Sequence, residues 1–106
     1  MAKYLIKASY TTEGTKGLLK EGGTKRMAAV RKVVEDLGGK LEGFYFAFGD
    51  ADVFSIIELP DAATAAALSL TVHASGAVQT STTPLLSPEE IDQACRKSVK
   101  YKVPGA

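Results

Sequence analysis

The run FYFAFGDADVFSIIEL, residues 44–59, limits the fold more than any other stretch of this chain. It joins two strand-like segments, KLEGFYFAFG (40–49) and DVFSIIEL (52–59), through a break of so few residues that the chain can only turn back on itself. The pair therefore reads as an antiparallel hairpin. In a sheet with one wet side, apolar and polar residues alternate with period two. Here Phe44, Phe46 and Phe48 share one face, with Tyr45 and Ala47 on the other. Val53, Ile57 and Leu59 likewise oppose Phe54 and Ile56. Both faces are apolar, so both need cover.

The segments on either side supply part of that cover. KYLIKASY (3–10) is a strand, with Tyr4, Ile6 and Ala8 on one face. Glycines at 14, 17, 22 and 23 argue against one continuous helix after it. The spacing predicts a broken turn over 13–20, then a helix over 24–37 with Thr24 as its cap. Met27, Val30, Val34 and Leu37 form that helix's buried stripe, and Gly38-Gly39 its left-handed stop. Pro60 closes the third strand, and Asp61 caps a helix over 62–75 that Gly76 ends. This helix is alanine-rich and almost free of charge, the pattern of a slim and heavily buried element. AVQTSTTPLL (77–86) is a fourth strand, stopping near Pro84. SPEE (87–90) then has the form of a capping box, opening a short helix with Ile91, Cys95 and Val99 on one face.

The order βαββαβ plus a C-terminal helix is the split-βαβ pattern of an α+β, ferredoxin-like domain with a four-stranded antiparallel sheet. The 106 residues make one such domain, 1–106. Two helices cover only one sheet face. The simplest cover for the other is the same face of a second copy, so a homodimer is expected.

Thirteen basic and twelve acidic side chains leave a net charge of +1, which favours neither nucleic acid nor an anionic membrane as partner. No apolar run approaches the roughly 18 residues of a membrane span, and the N-terminus has no secretory core. A single cysteine forms no internal disulfide, in keeping with a cytoplasmic location. Lys16, Lys20, Lys25, Arg26, Arg31 and Lys32 make the first helical region basic, and the expected reading is a solvated helix face.

Four residues are candidates for holding a small molecule between sheet and helices: Tyr45, His73, Asp52 and Glu58. Tyr45 is an aromatic whose hydroxyl needs a partner when buried. His73, the only histidine, titrates near neutrality and can serve as acid, base or ligand. Asp52 lies two residues from Asp50, so the pair could share a proton or a cation, yet two carboxylates fall well short of the about six oxygens a hard cation wants. The blander reading makes Asp52 a hairpin residue bonded to backbone amides. Glu58 shares a strand face with Phe54 and Ile56, although a carboxylate at a strand end can also reach water. No cofactor or metal motif is legible.

Three segments together, KASYTTEGTKGL, LGGKLEGFYFAFGDADVFSIIELPD and ASGAVQTSTTPLLSPEE, resemble the GYD domain family. Gly49 and Asp52 match the family's hairpin signature, and Ala51 stands where a tyrosine is usual. The resemblance implies a ferredoxin-like fold that pairs as a dimeric α/β barrel, and it implies no reaction. A ligand-binding dimer is the leading functional expectation. A cofactor-independent oxygenase or isomerase, by fold analogy, and a structural oligomerisation module are the alternatives.

Overall fold

The computed structural model describes residues 1–106. Its elements are β1 (Ala2–Tyr10), α1 (Thr12–Glu21), α2 (Gly23–Asp36), β2 (Lys40–Phe46), β3 (Val53–Leu59), α3 (Ala62–Ala74), β4 (Val78–Leu85) and α4 (Pro88–Cys95). The four strands form one antiparallel sheet in the order β2-β3-β1-β4. The expected α+β order is present, with one difference in the first crossover.

That crossover holds two helices. Residues 13–20 are a full helix, α1, opened by Thr11, whose side chain accepts from the Gly14 amide. Glycine lowers helix propensity by only about 1 kcal/mol, and tertiary contacts override that. The true break is Gly22, at φ 86° and ψ 165°, a region that only glycine occupies readily. Its N–H donates to the Leu18 carbonyl at 2.8 Å, closing α1, while the same residue opens α2. Thr24, expected as the cap, lies inside α2. Gly38 and Gly76 follow α2 and α3 in the left-handed region, as their sequence positions suggested.

The hairpin closes around residues 47–52, so β2 ends at Phe46 and Phe48 stands wholly exposed in the loop. A register shift between Leu41 and Gly43 inserts Glu42 as an extra residue. It lets Leu41 (opposite Ile57) and Phe44 (opposite Ser55) face the same side. Phe44 and Phe46 meet edge to face on that side, centroids 5.4 Å apart at 82°.

Tyr4, Val34, Leu41, Ile57, Leu59 and Ala65 form the core cluster under the helices. Gly39 is fitted tightly into it: a Cβ there would run into the Glu58 carbonyl and the side chains of Leu59 and Val34. Asp61 caps α3, accepting from the amide and the hydroxyl of Thr64 at 2.8 Å each. α3 is less buried than its composition suggested. Ala65 is its only buried residue, and Leu70, on the outward face, is 72% exposed. An uncharged helix face needs a neighbour to bury it, and the single chain offers α3 neighbours on one side only.

The opposite sheet face carries Leu5, Lys7, Tyr45, Phe54, Ile56 and Glu58, with no helix over it. Lys7 Nζ sits 5.7 Å from the Phe54 ring centroid. Beyond β4, Ser87 and Glu90 complete a reciprocal capping box for α4. From Pro88 to Ala106 every residue is exposed. This arm stretches the molecule to 56 Å and its radius of gyration to 17.0 Å, against about 13 Å for a folded chain of this length.

A cleft between two helices as the candidate functional site

Helix α2 lies mainly on β2, and α3 mainly on β4. Between the two helices a gap opens above the central strands β1 and β3, whose inward residues Val53, Ser55 and Ile57 are nonetheless buried. Over this gap lies a chamber of about 150 Å³. Ile6 and Ala8 of β1 and Val53, Ser55 and Ile57 of β3 line its floor, and α2 and α3 its walls. Thirteen of its eighteen lining residues are hydrophobic, so its lining is largely apolar. A cavity of this size and character matches one known to take up benzene.

Beside it opens a more polar vestibule of about 400 Å³, bordered by α1 residues including Glu13 and Glu21. Tyr10, Arg26, Val72 and Val78 line both spaces and so stand at their junction.

Arg26 departs from its expected place. Of the six basic residues expected on a solvated helix face, five are exposed and Arg26 is half-buried. Its position explains the difference. Residues three, four, seven and eight further on are Ala29, Val30, Val33 and Val34, the face of α2 that lines the chamber. The Nε of Arg26 is shut off from solvent and has no hydrogen-bond partner. It is the one buried side-chain nitrogen or oxygen in that condition. The helical spacing from Arg26 to Val30 and Val34 was the available signal.

The other polar groups of the lining are neutral, and two are already engaged. Ser55 Oγ donates to the Ile6 carbonyl at 3.4 Å. Thr80 Oγ1 lies 2.9 Å from His73 Nε2, which also accepts from the Thr80 N–H at 2.9 Å. No carboxylate, histidine or cysteine lines the chamber. Tyr10 is the one lining side chain of an acid–base type.

The four residues singled out from sequence do not converge there. His73 stands behind the wall, fastening the end of α3 to β4 through Thr80. Asp52 accepts from the Tyr10 N–H at 2.9 Å through Oδ2, its amide donates to the Ala8 carbonyl at 2.8 Å, and its carbonyl accepts from Ala47. It thus fixes the hairpin loop to the end of β1, from which Tyr10 reaches the cleft. Asp50 is exposed, and no three metal-ligating side chains are grouped anywhere.

Tyr45 and Glu58 lie on the uncovered sheet face, Tyr45 73% exposed. There Lys3 Nζ pairs with Glu42 at 3.0 Å and reaches Glu58 at 4.0 Å. The hydrogen bond from Lys3 holds the Glu42 carboxyl below its usual range, and the same bond raises the Lys3 ammonium. Ala51, where the family usually carries tyrosine, is buried at the hairpin.

No helix is long and apolar enough to cross a membrane. Neither the curated proteins nor the solved structures contain a significant match to the chain. The family model of the GYD domain matches residues 4–95, nearly the whole of the 106-residue chain, and covers both the cleft and the uncovered sheet face. On that match the chain, an α+β domain of ferredoxin-like order, belongs to the GYD domain family.

Proposed function

We propose that this protein is a small-molecule-binding homodimer, each subunit holding its ligand in the cleft between α2 and α3. The observation that carries the binding half is the 150 Å³ chamber with a lone cation at its mouth. An apolar lining with a few polar groups is the usual make-up of a ligand site, and the absence of acid–base pairs favours binding over proton-transfer chemistry. Native mass spectrometry of freshly purified protein tests it. A co-purifying mass lost in the cavity-filling variant Ala29→Leu supports the reading. Retention of that mass by Ala29→Leu, with the chamber blocked, refutes it.

The dimer half rests on surplus surface. A folded monomer of 11.2 kDa is expected to expose roughly 5,700 Å². This chain exposes 7548 Å². The excess of roughly 1,800 Å² is more than the about 800 Å² each partner contributes to a standard interface. Part of it is the apolar sheet face around Leu5, Phe54 and Ile56, and part is the arm, with Val99 80% and Tyr101 73% exposed. A two-fold axis lying between the copies and parallel to the sheet plane lets the face cover its own copy, and the arm adds reach around the edge. Light scattering at micromolar concentration distinguishes about 22 kDa from 11.2 kDa, and a monomer there contradicts the proposal.

A further inference from the structure

We infer that the ligand of the cleft is a monocarboxylate with an apolar body about the size of a benzene ring, its carboxylate held by Arg26. The inference rests on the cleft being a binding site, and it adds the chemical class. A guanidinium nitrogen buried without a partner is costly, and such groups are ordinarily satisfied by protein or water. Arg26 Nε has no protein partner, and the residue stands where the apolar chamber meets the vestibule. A ligand with its apolar part inside and an anion at the threshold would meet the outer donors of that guanidinium.

The neighbours narrow the anion. Arg26 is the only charged side chain lining the chamber, so a single negative charge is balanced there. On the vestibule side stand Glu13 and Glu21, which oppose a second negative charge. A planar guanidinium fork fits a planar carboxylate with two parallel hydrogen bonds. The chamber volume of about 150 Å³ sets the size of the apolar part, which matches an aromatic ring or a short branched chain. Ser55 and Thr80 hold their existing partners, so the apolar part needs no polar substituent to satisfy the floor.

The test uses full-length protein freed of ligand by unfolding and refolding, titrated calorimetrically with benzoate and with its neutral isostere benzamide. A charged hydrogen-bonding pair predicts that the wild type favours benzoate by about 10- to 100-fold. Arg26→Met should lose the preference for benzoate, its fold being certified separately by far-UV circular dichroism and cooperative urea unfolding. Arg26→Lys should keep part of the preference, having the charge without the fork. Equal affinity of the wild type for the two probes overturns the carboxylate inference and leaves the cleft as a binding site. The carboxylate inference falls equally if Arg26→Met retains the preference, or if phenyl phosphate binds more tightly than benzoate. Binding of neither probe removes the cleft reading and the inference together.

Discussion

Replacing Arg26 with methionine should make the empty protein more stable. Methionine keeps the length and flexibility of the arginine stem and has nearly the same helix propensity, so α2 itself should not change. What disappears is a guanidinium with one N–H sealed from water and unbonded. An unsatisfied buried donor costs about 1–3 kcal/mol. Arg26 is only half-buried, so the remaining donors reach water and the gain should lie near the bottom of that range, about 1 kcal/mol. For a domain of this size that is a rise in Tm of about 4–8 °C. In urea it moves the midpoint upward by roughly 0.5–1 M with the slope unchanged. The assay is urea unfolding of refolded, ligand-free protein at one fixed concentration, because association would otherwise shift the midpoint. Lys25→Met, on the neighbouring exposed position, serves as the control and should stay within about 0.5 kcal/mol of wild type. If R26M lowers stability by about 1 kcal/mol or more, Arg26 has a strong partner in the free protein and is no orphaned cation.

Three further outcomes can be checked alongside. Gly39→Ala should cost about 1–3 kcal/mol in urea unfolding, because its Cβ has no room between α2 and the β3 backbone. The Asp61 carboxyl is held below its ordinary 3.8, first by the Thr64 amide and then by the Thr64 hydroxyl. A depressed folded value means that the contribution to stability is full above the unfolded value and fades as pH falls through the folded one. Wild type should therefore lose stability in acid more steeply than Asp61→Asn, which caps without titrating, when urea midpoints are compared between pH 6 and pH 2. Ending the chain at Leu86, which removes the arm and leaves the sheet intact, should weaken self-association by light scattering, whereas Ile56→Asp should abolish it.

The sheet was legible because its signals are local and strict. A period-two pattern across Val53–Leu59 sets Val53, Ile57 and Leu59 on one face and Phe54 and Ile56 on the other, and the fold buries the first set. Asp61, Gly76 and the Ser87–Glu90 box declared their helix ends through side-chain and glycine chemistry in the same way. The first crossover was harder because four glycines compete for the break, and only Gly22 is in a conformation that demands one. The cleft could not be read at all from single elements. It exists because α2 and α3 lean on opposite edge strands, and that separation is a tertiary fact. Arg26 was hidden for a related reason: among neighbouring lysines it looks like solvent-facing charge, and only its helical spacing to Val30 and Val34 sets it apart. Tyr45 and Glu58 were correctly placed on the face opposite the inward residues, but no helix stands over that side.

One strand therefore serves two surfaces, and its pleat keeps them apart. Along β3, Val53, Ser55 and Ile57 form the cleft floor, while Phe54, Ile56 and Glu58 look away from the helices. Paired β1 repeats the division, with Ile6 and Ala8 beneath the cleft and Leu5 and Lys7 on the far side. The distance between the two sets is one residue, yet a side chain on one face has no direct contact with the other. That explains why the apolar character of both faces need not compete for a single use. The inner set is too small to fill the gap that α2 and α3 leave, so a chamber remains. The outer set, with Leu5, Phe54 and Ile56 beside Lys7 and Glu58, leaves a partly apolar surface with no helix over it. A ligand in the cleft can stiffen the shared backbone of β1 and β3 and thereby favour the paired state, and linkage then requires that pairing tighten the ligand by the same factor. The two halves of the proposed function are joined through those two strands.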